Sequence, residues 1–238
     1  MSTPMPAGSF DPGPARQPSP TTRMPRAARR AQIARHAATV FMRGGFDGTS
    51  MDDVAVAAGV TRLIVYRIFE SKQDLYRAVL DLVIDDLVAS FDVPRDTVPR
   101  DTVPRDTVPR DTVRASDVGA APLRAGTEIA EVLLGVARRH PDGFRLLWRH
   151  AAHEPEFREL ASLFKVAITD YAVALLEPAM DDRMIRRWAA ESLVSHLYES
   201  VCLWLDDGDA QRDSEFLELV NEGMRAMVLR WVELLSRR

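Results

Sequence analysis

A single cysteine, Cys202, stands in a chain of 238 residues. One thiol excludes an internal disulfide framework and any cysteine-cluster metal site, and it agrees with a reducing cytosol. Long apolar runs are missing too: none approaches the ~18 residues that a membrane-spanning helix needs. The first 25 residues lack the apolar centre of a secretory signal and instead hold seven prolines among Ser, Gly and Thr. Residues 1–24 therefore read as a disordered arm, with Met24 a candidate initiator. Catalytic patterns are scarce as well. His36, His140, His150, His153 and His196 make no HExxH or carboxylate-paired arrangement, and no phosphate-cradling glycine loop or nucleophile elbow occurs. No enzyme activity, metal or cofactor is expected.

What is present is a helical chain with 46% hydrophobic residues, enough for one or two cores. The most informative stretch runs from Thr49 to Tyr76. Ser50 is a good N-cap, and Asp53 three residues on is placed to return a bond to its backbone. Met51, Val54, Ala55 and Ala58 give one helical face. Gly59 breaks the helix where a left-handed residue is cheap, and Thr61 is expected to cap a second helix with Val65 and Phe69 inward. Two short helices about a tight glycine turn are the plan of a helix-turn-helix, whose second helix enters the major groove of DNA.

Charge segregation points the same way. From Arg23 to Arg77, ten cations face five acids, a net of +5 within a chain of −4, so the remainder carries −9. A basic module on an acidic body suits attraction to phosphates. The N-terminal arm is either a dispensable tail or adds loose DNA contacts through Arg16 and Arg23.

The pattern Phe46-x-Gly48-Thr49-Ser50, Val54-Ala55-x-Ala57-Ala58-Gly59-Val60-Thr61 and Val65-Tyr66-Arg67-x-Phe69-x-Ser71-Lys72-x-x-Leu75-Tyr76 resembles the DNA-binding domain of TetR-family regulators. The resemblance is dense from about Arg26 to Leu80. It implies an all-α fold: a three-helix DNA-binding domain over 25–72 and a helical ligand-binding and dimerisation domain over 73–238. It further implies a cytoplasmic homodimer that binds palindromic operator DNA, most often as a repressor released by a small effector. Carried over residue by residue, Arg62, Leu63 and Ile64 face base edges, while Ser50, Thr61, Tyr66 and Lys72 meet the backbone. Leu63, Ile64 and Ile68 depart from the small, polar or histidine residues usual there.

Residues 93–114 repeat VPRDT four times and then decay. Proline at every fifth position forbids a regular helix, so the tract is expected to be an extended loop. Elsewhere helices are expected at Arg26–Arg43, from Leu75 toward Phe91, and at Leu123–Arg139, Pro141–Ala152, Pro155–Leu176, Asp182–Leu205 and Ser214–Ser236, with Pro141 and Pro155 in first turns. The last two carry broad apolar stripes: Ile185, Trp188, Ala189, Leu193, Leu197, Val201 and Trp204 on one, and Phe216, Val220, Gly223, Met227, Trp231 and Leu234 on the other. These are the expected subunit interface. A hydrophobic effector is expected between the helix that leaves the DNA-binding domain and the body, among Phe91, Phe144, Leu147, Trp148, His150, Phe164, Ile168, Tyr171 and His196, with Tyr198 beside them. The alternative is a helical DNA-binding adaptor with no small-molecule ligand.

Overall fold

The computed structural model describes residues 24–90 and 121–237, with the side chains at 121–128, 163 and 164 left outside the description. Among these residues every regular element is helical: α1 Arg26–Gly44, α2 Met51–Ala57, α3 Arg62–Ile68, α4 Lys72–Ser90, α5 Ala121–Arg139, α6 Pro141–Arg145 continued by a π turn Leu146–His150, α7 Arg158–Leu176, α8 Arg183–Asp207 and α9 Asp213–Ser236. No described helix is long and apolar enough to cross a membrane. The VPRDT tract, the N-terminal arm and Phe91 lie outside the described residues, as does the side chain of Phe164.

Helix ends follow local chemistry. Pro141 opens α6, where its missing amide costs nothing, and Asp182 caps α8 by accepting from the amides of Met184 and Ile185. Three expectations need correction. Thr61 sits at the N-cap of α3 but makes no side-chain cap bond. The expected continuous helix Pro141–Ala152 widens in its last turn, where the Ala151 amide reaches back five residues to the Leu146 carbonyl at 2.7 Å. Pro155 does not start α7: the Glu154 carbonyl accepts from the amides of Phe157 and Arg158, making a turn that drives Phe157 inward before α7 begins. The reason is burial, since Phe157 packs on Tyr76 and Phe46 at ring separations of 4.5 and 5.5 Å.

One apolar cluster runs from Ile33, Phe41 and Val54 through Leu75, Val79 and Leu87 into Leu133, Phe144, Leu147, Leu197 and Val220. It therefore joins the three N-terminal helices to the body by way of α4. A smaller cluster, Leu176, Met180, Ala189 and Ala190 with Trp231 and Leu235, closes the far end between α7, α8 and α9. Ion pairs fix the seams. Asp213 takes Arg138 of α5 at 2.6 Å and the indole N–H of Trp204 of α8 at 2.7 Å, so three helices meet on one carboxylate.

The stripes of α8 and α9 are split between two faces. Ala189, Leu197 and Val201 are in the core, whereas Met184, Trp188 and Leu203 are exposed. On α9, Phe216 and Val220 are buried, while Leu219, Leu229 and Leu234 face outward and Gly223 has open space about it. On each helix, therefore, apolar residues stand on an outer face as well as on the face that enters the core.

Candidate nucleic-acid interface

The α1–α2 turn is built for close approach. Gly45 takes φ +69°, and Thr49 Oγ1 donates to the Gly45 carbonyl at 2.8 Å. A Cβ at Gly48 would collide with the Gly44 carbonyl oxygen. Lys72, at the start of α4, reaches across to the Phe46 and Asp47 carbonyls at 2.8 and 3.3 Å and lies 4.5 Å from the Phe46 ring centre. The Phe46-x-Gly48-Thr49 motif is thus a backbone device, and two of the three donors of the Lys72 ammonium hold it shut.

Next, α2 starts with a complete capping box. Ser50 Oγ accepts from the Asp53 amide at 3.2 Å, and the Asp53 carboxylate accepts from the Ser50 amide at 2.9 Å and from its hydroxyl at 2.6 Å. These bonds to Ser50 hold the Asp53 carboxyl below its ordinary range. At its end, Gly59 takes φ +64°, its amide bonds the Val56 carbonyl, and the Val60 amide bonds the Ala55 carbonyl. This Schellman closure sends the chain directly into α3.

Two anchors then set α3. Val65 and Phe69 are fully buried. Arg30 of α1 lies over the Phe69 ring at 4.4 Å, donates to the Ile68 carbonyl at 3.0 Å and pairs with Asp74 of α4 at 2.6 Å. One guanidinium therefore ties α1, the end of α3 and the start of α4 together, and the Arg30 bond keeps the Asp74 carboxyl below its ordinary range.

With its inner face fixed, α3 presents Arg62, Leu63, Tyr66 and Arg67 outward; Leu63 is 70% exposed. Arg62 pairs with Asp52 at 2.8 Å, donates to the Tyr66 hydroxyl at 3.4 Å and lies 5.2 Å from the Tyr66 ring centre. Ile64 is only half exposed and packs on the core, so it presents less to solvent than its neighbours. Thirteen residues upstream of Leu63, Ser50 is exposed beside α2, and Thr61 is exposed at the start of α3. Asp52 was given no role from the sequence, and Arg67 entered only as a position of the resembling pattern, with no contact assigned to it. The signal for Asp52 was its opposite sign ten residues from Arg62 across the turn; for Arg67 it was adjacency to Tyr66.

A cleft of about 610 Å³ opens beside α3, bounded by Arg26, Arg67, Arg77, Glu70 and Glu156 and floored by Phe69 and Phe157. It lies by the recognition helix and not where an effector was expected. Of the effector candidates, Phe144 and Leu147 are fully buried in the core, and Trp148 stacks on buried Tyr198 with ring centres 3.5 Å apart. Among the described residues the Tyr198 hydroxyl meets no hydrogen-bond partner, and burial pushes its pKa well up. Ile168 is half-buried, while His150, Tyr171 and His196 are exposed. Arg145 and Arg149 are both paired to Asp206, at 2.7 and 2.8 Å.

Comparison with known proteins agrees with this geometry. Residues 33–79 match the pattern of the bacterial regulatory proteins, tetR family. Over 67 residues the chain is 42% identical to the HTH-type transcriptional activator FasR of Mycolicibacterium smegmatis, a match spanning 28% of this chain and 31% of that one. A TetR-like transcriptional regulator from Rhodococcus sp. RHA1 superposes with a TM-score of 0.65 at 19% identity, covering 89% of this chain and 99% of the other. AibR, solved in complex with isovaleryl coenzyme A and operator DNA, superposes with a TM-score of 0.54 at 19% identity over 84% of this chain and 97% of that one. The last two likenesses are of fold, extending over the body as well as the DNA-binding helices. Residues 33–79 thus carry the pattern of the tetR family of bacterial regulatory proteins, on a helical body whose fold is that of TetR-like regulators.

Proposed function

We propose that the protein is a transcriptional regulator that binds a palindromic operator as a homodimer and is released from it by a small hydrophobic effector, acting most simply as a repressor. The observation that carries this reading is the outward face of α3, where Arg62, Leu63 and Tyr66 stand clear of a core that fixes the helix through Val65 and Phe69. Arg62 and Leu63 read base edges, Arg62 suiting a guanine and Leu63 a thymine methyl. Ser50, Thr61, Tyr66 and the remaining donor of Lys72 serve the backbone. Ile64, half packed into the core, contributes least.

Dimerisation uses the outer faces of α8 and α9. Met184, Trp188, Leu203, Leu219, Leu229 and Leu234 are all exposed there, more large apolar side chains than a solvated face needs. A dyad also solves a problem of information, since one short helix reads few base pairs and two read an inverted repeat. The effector reading rests on AibR, whose complex holds isovaleryl coenzyme A, and on the aromatic group Phe144, Trp148 and Tyr198 of the body. Activation is the second reading of the output, because the relative 42% identical over the DNA-binding segment is named an activator.

Native mass spectrometry of the protein with operator-length duplex tests the assembly. Whole dimers on each duplex are expected; a single protomer bound per duplex would contradict the reading.

A further inference from the structure

Resting on that DNA-binding reading, we propose that Asp52 is a specificity-determining residue, which buttresses Arg62 for a guanine edge and withholds its charge from indiscriminate phosphate contact. The geometry is specific. Asp52 belongs to the first turn of α2 but takes no part in the capping box, which Ser50 and Asp53 complete between themselves. Its carboxylate instead crosses to α3 and accepts from one terminal nitrogen of Arg62 at 2.8 Å. The other terminal nitrogen leans on the Tyr66 hydroxyl at 3.4 Å, and the guanidinium plane is held 5.2 Å from the ring centre. Neither partner is buried: the side chains are 65% and 51% exposed.

A pair so exposed contributes little to folding, so its place on the recognition face calls for another reason. Guanidinium offers five donors in a rigid plane. Asp52 and Tyr66 engage one donor each, which leaves donors on the fork free for the O6 and N7 acceptors of guanine. A flexible arginine must be ordered when it binds a base; this one is ordered beforehand. The pair is also neutral as a unit. Duplex affinity that ignores sequence grows with each phosphate neutralised, and a paired Arg62 adds little to it. Ordering favours the right sequence and neutrality disfavours all others, so both effects widen the gap between them.

The test uses the full chain and fluorescence anisotropy at several salt concentrations. The probes are the duplex most enriched by the wild-type protein from a random pool and a scrambled duplex of equal length. Asp52→Asn frees Arg62, so its affinity for the scrambled duplex rises several-fold. The slope of log affinity against log salt there steepens by about 0.9 for each phosphate newly neutralised. Affinity for the enriched duplex gains less, so the ratio between the two falls by about tenfold, the size of one poorly read base pair per site. Asp52→Glu restores most of the ratio. In an Arg62→Ala background Asp52→Asn leaves the ratio unchanged, because nothing remains to be buttressed. Equal gains on both duplexes in the single variant would show plain relief of repulsion and overturn the proposal. No change on either duplex would also overturn it. A wild-type chain with no sequence preference at all would remove the DNA-binding reading itself. Thermal melting of each variant separates these outcomes from misfolding.

Discussion

Thr39 of α1 donates a 2.6 Å hydrogen bond to the carboxylate of Asp142, the second residue of α6. The other oxygen of Asp142 meets Arg145, which pairs with Asp206 at the end of α8; Asp206 in turn holds Arg149, and Arg149 holds Glu199. A continuous polar chain thus runs from the DNA-binding helices to the helix whose outer face we assign to the partner subunit. Replacing Thr39 by Val should cost about 1 kcal/mol in urea unfolding, the worth of one such bond. An unchanged midpoint would show that the bond carries no load.

Directly beside this link, α6 touches the α4 helix at its backbone. A Cβ built on Gly143 would lie 2.8 Å from Val83 Cγ2 and 3.8 Å from the Val79 carbonyl. Both valines are buried, so neither side has room to give. Gly143→Ala should therefore destabilise the protein by about 1–3 kcal/mol. Adding Val83→Ala should cost less in that background than in the wild type, which a double-mutant cycle reads out.

The subunit interface proposed on α8 and α9 is open to a charge test. Leu219 and Trp188 are both exposed, Trp188 resting one side of its ring on Trp231 of α9 at 5.1 Å. Leu219→Glu combined with Trp188→Glu should leave the helical signal intact while light scattering reports a monomer. A dimer of undiminished mass would move the interface off α8 and α9.

Acid should destabilise the fold in a narrow window. Asp74 is held below its ordinary range by the Arg30 hydrogen bond, and Asp213 by the Arg138 bond, opposed by burial and reinforced by Trp204. A carboxyl with a lowered folded pKa contributes stability above its unfolded pKa of about 3.9 and loses it as pH falls through the folded value. The urea midpoint should stay flat from about pH 7 to 5 for these groups and drop below about pH 4. Asp74→Asn should make that drop shallower. An equal drop in the variant would exclude Asp74 as a contributor.

Legibility of the fold in the sequence tracked the range of the forces involved. Ser50, Asp53 and Gly59 act within four residues of themselves, and their cap, box and left-handed turn could be read from spacing alone. Helix positions followed from periodicity for the same reason. Arg30 could not be read this way, because what makes it a structural clamp rather than a phosphate ligand is Asp74, forty-four residues on. Phe157 moved the start of α7 because its partners, Phe46 and Tyr76, lie in the DNA-binding segment. Lys72 was placed at a phosphate by resemblance, and only the folded turn shows its bonds to two carbonyls. The stripes of α8 and α9 were visible, but their division into core and outer faces depends on which neighbours arrive.

The central claim, that the outward face of α3 reads an inverted repeat, is tested most directly by selecting duplexes from a random pool with the full-length protein and sequencing those retained. The expected result is enrichment of two inverted half-sites at a fixed spacing near one helical turn or a multiple of it, each with a guanine whose preference disappears in Arg62→Ala. Enrichment of a single unrepeated site, or none above the starting pool, would contradict it.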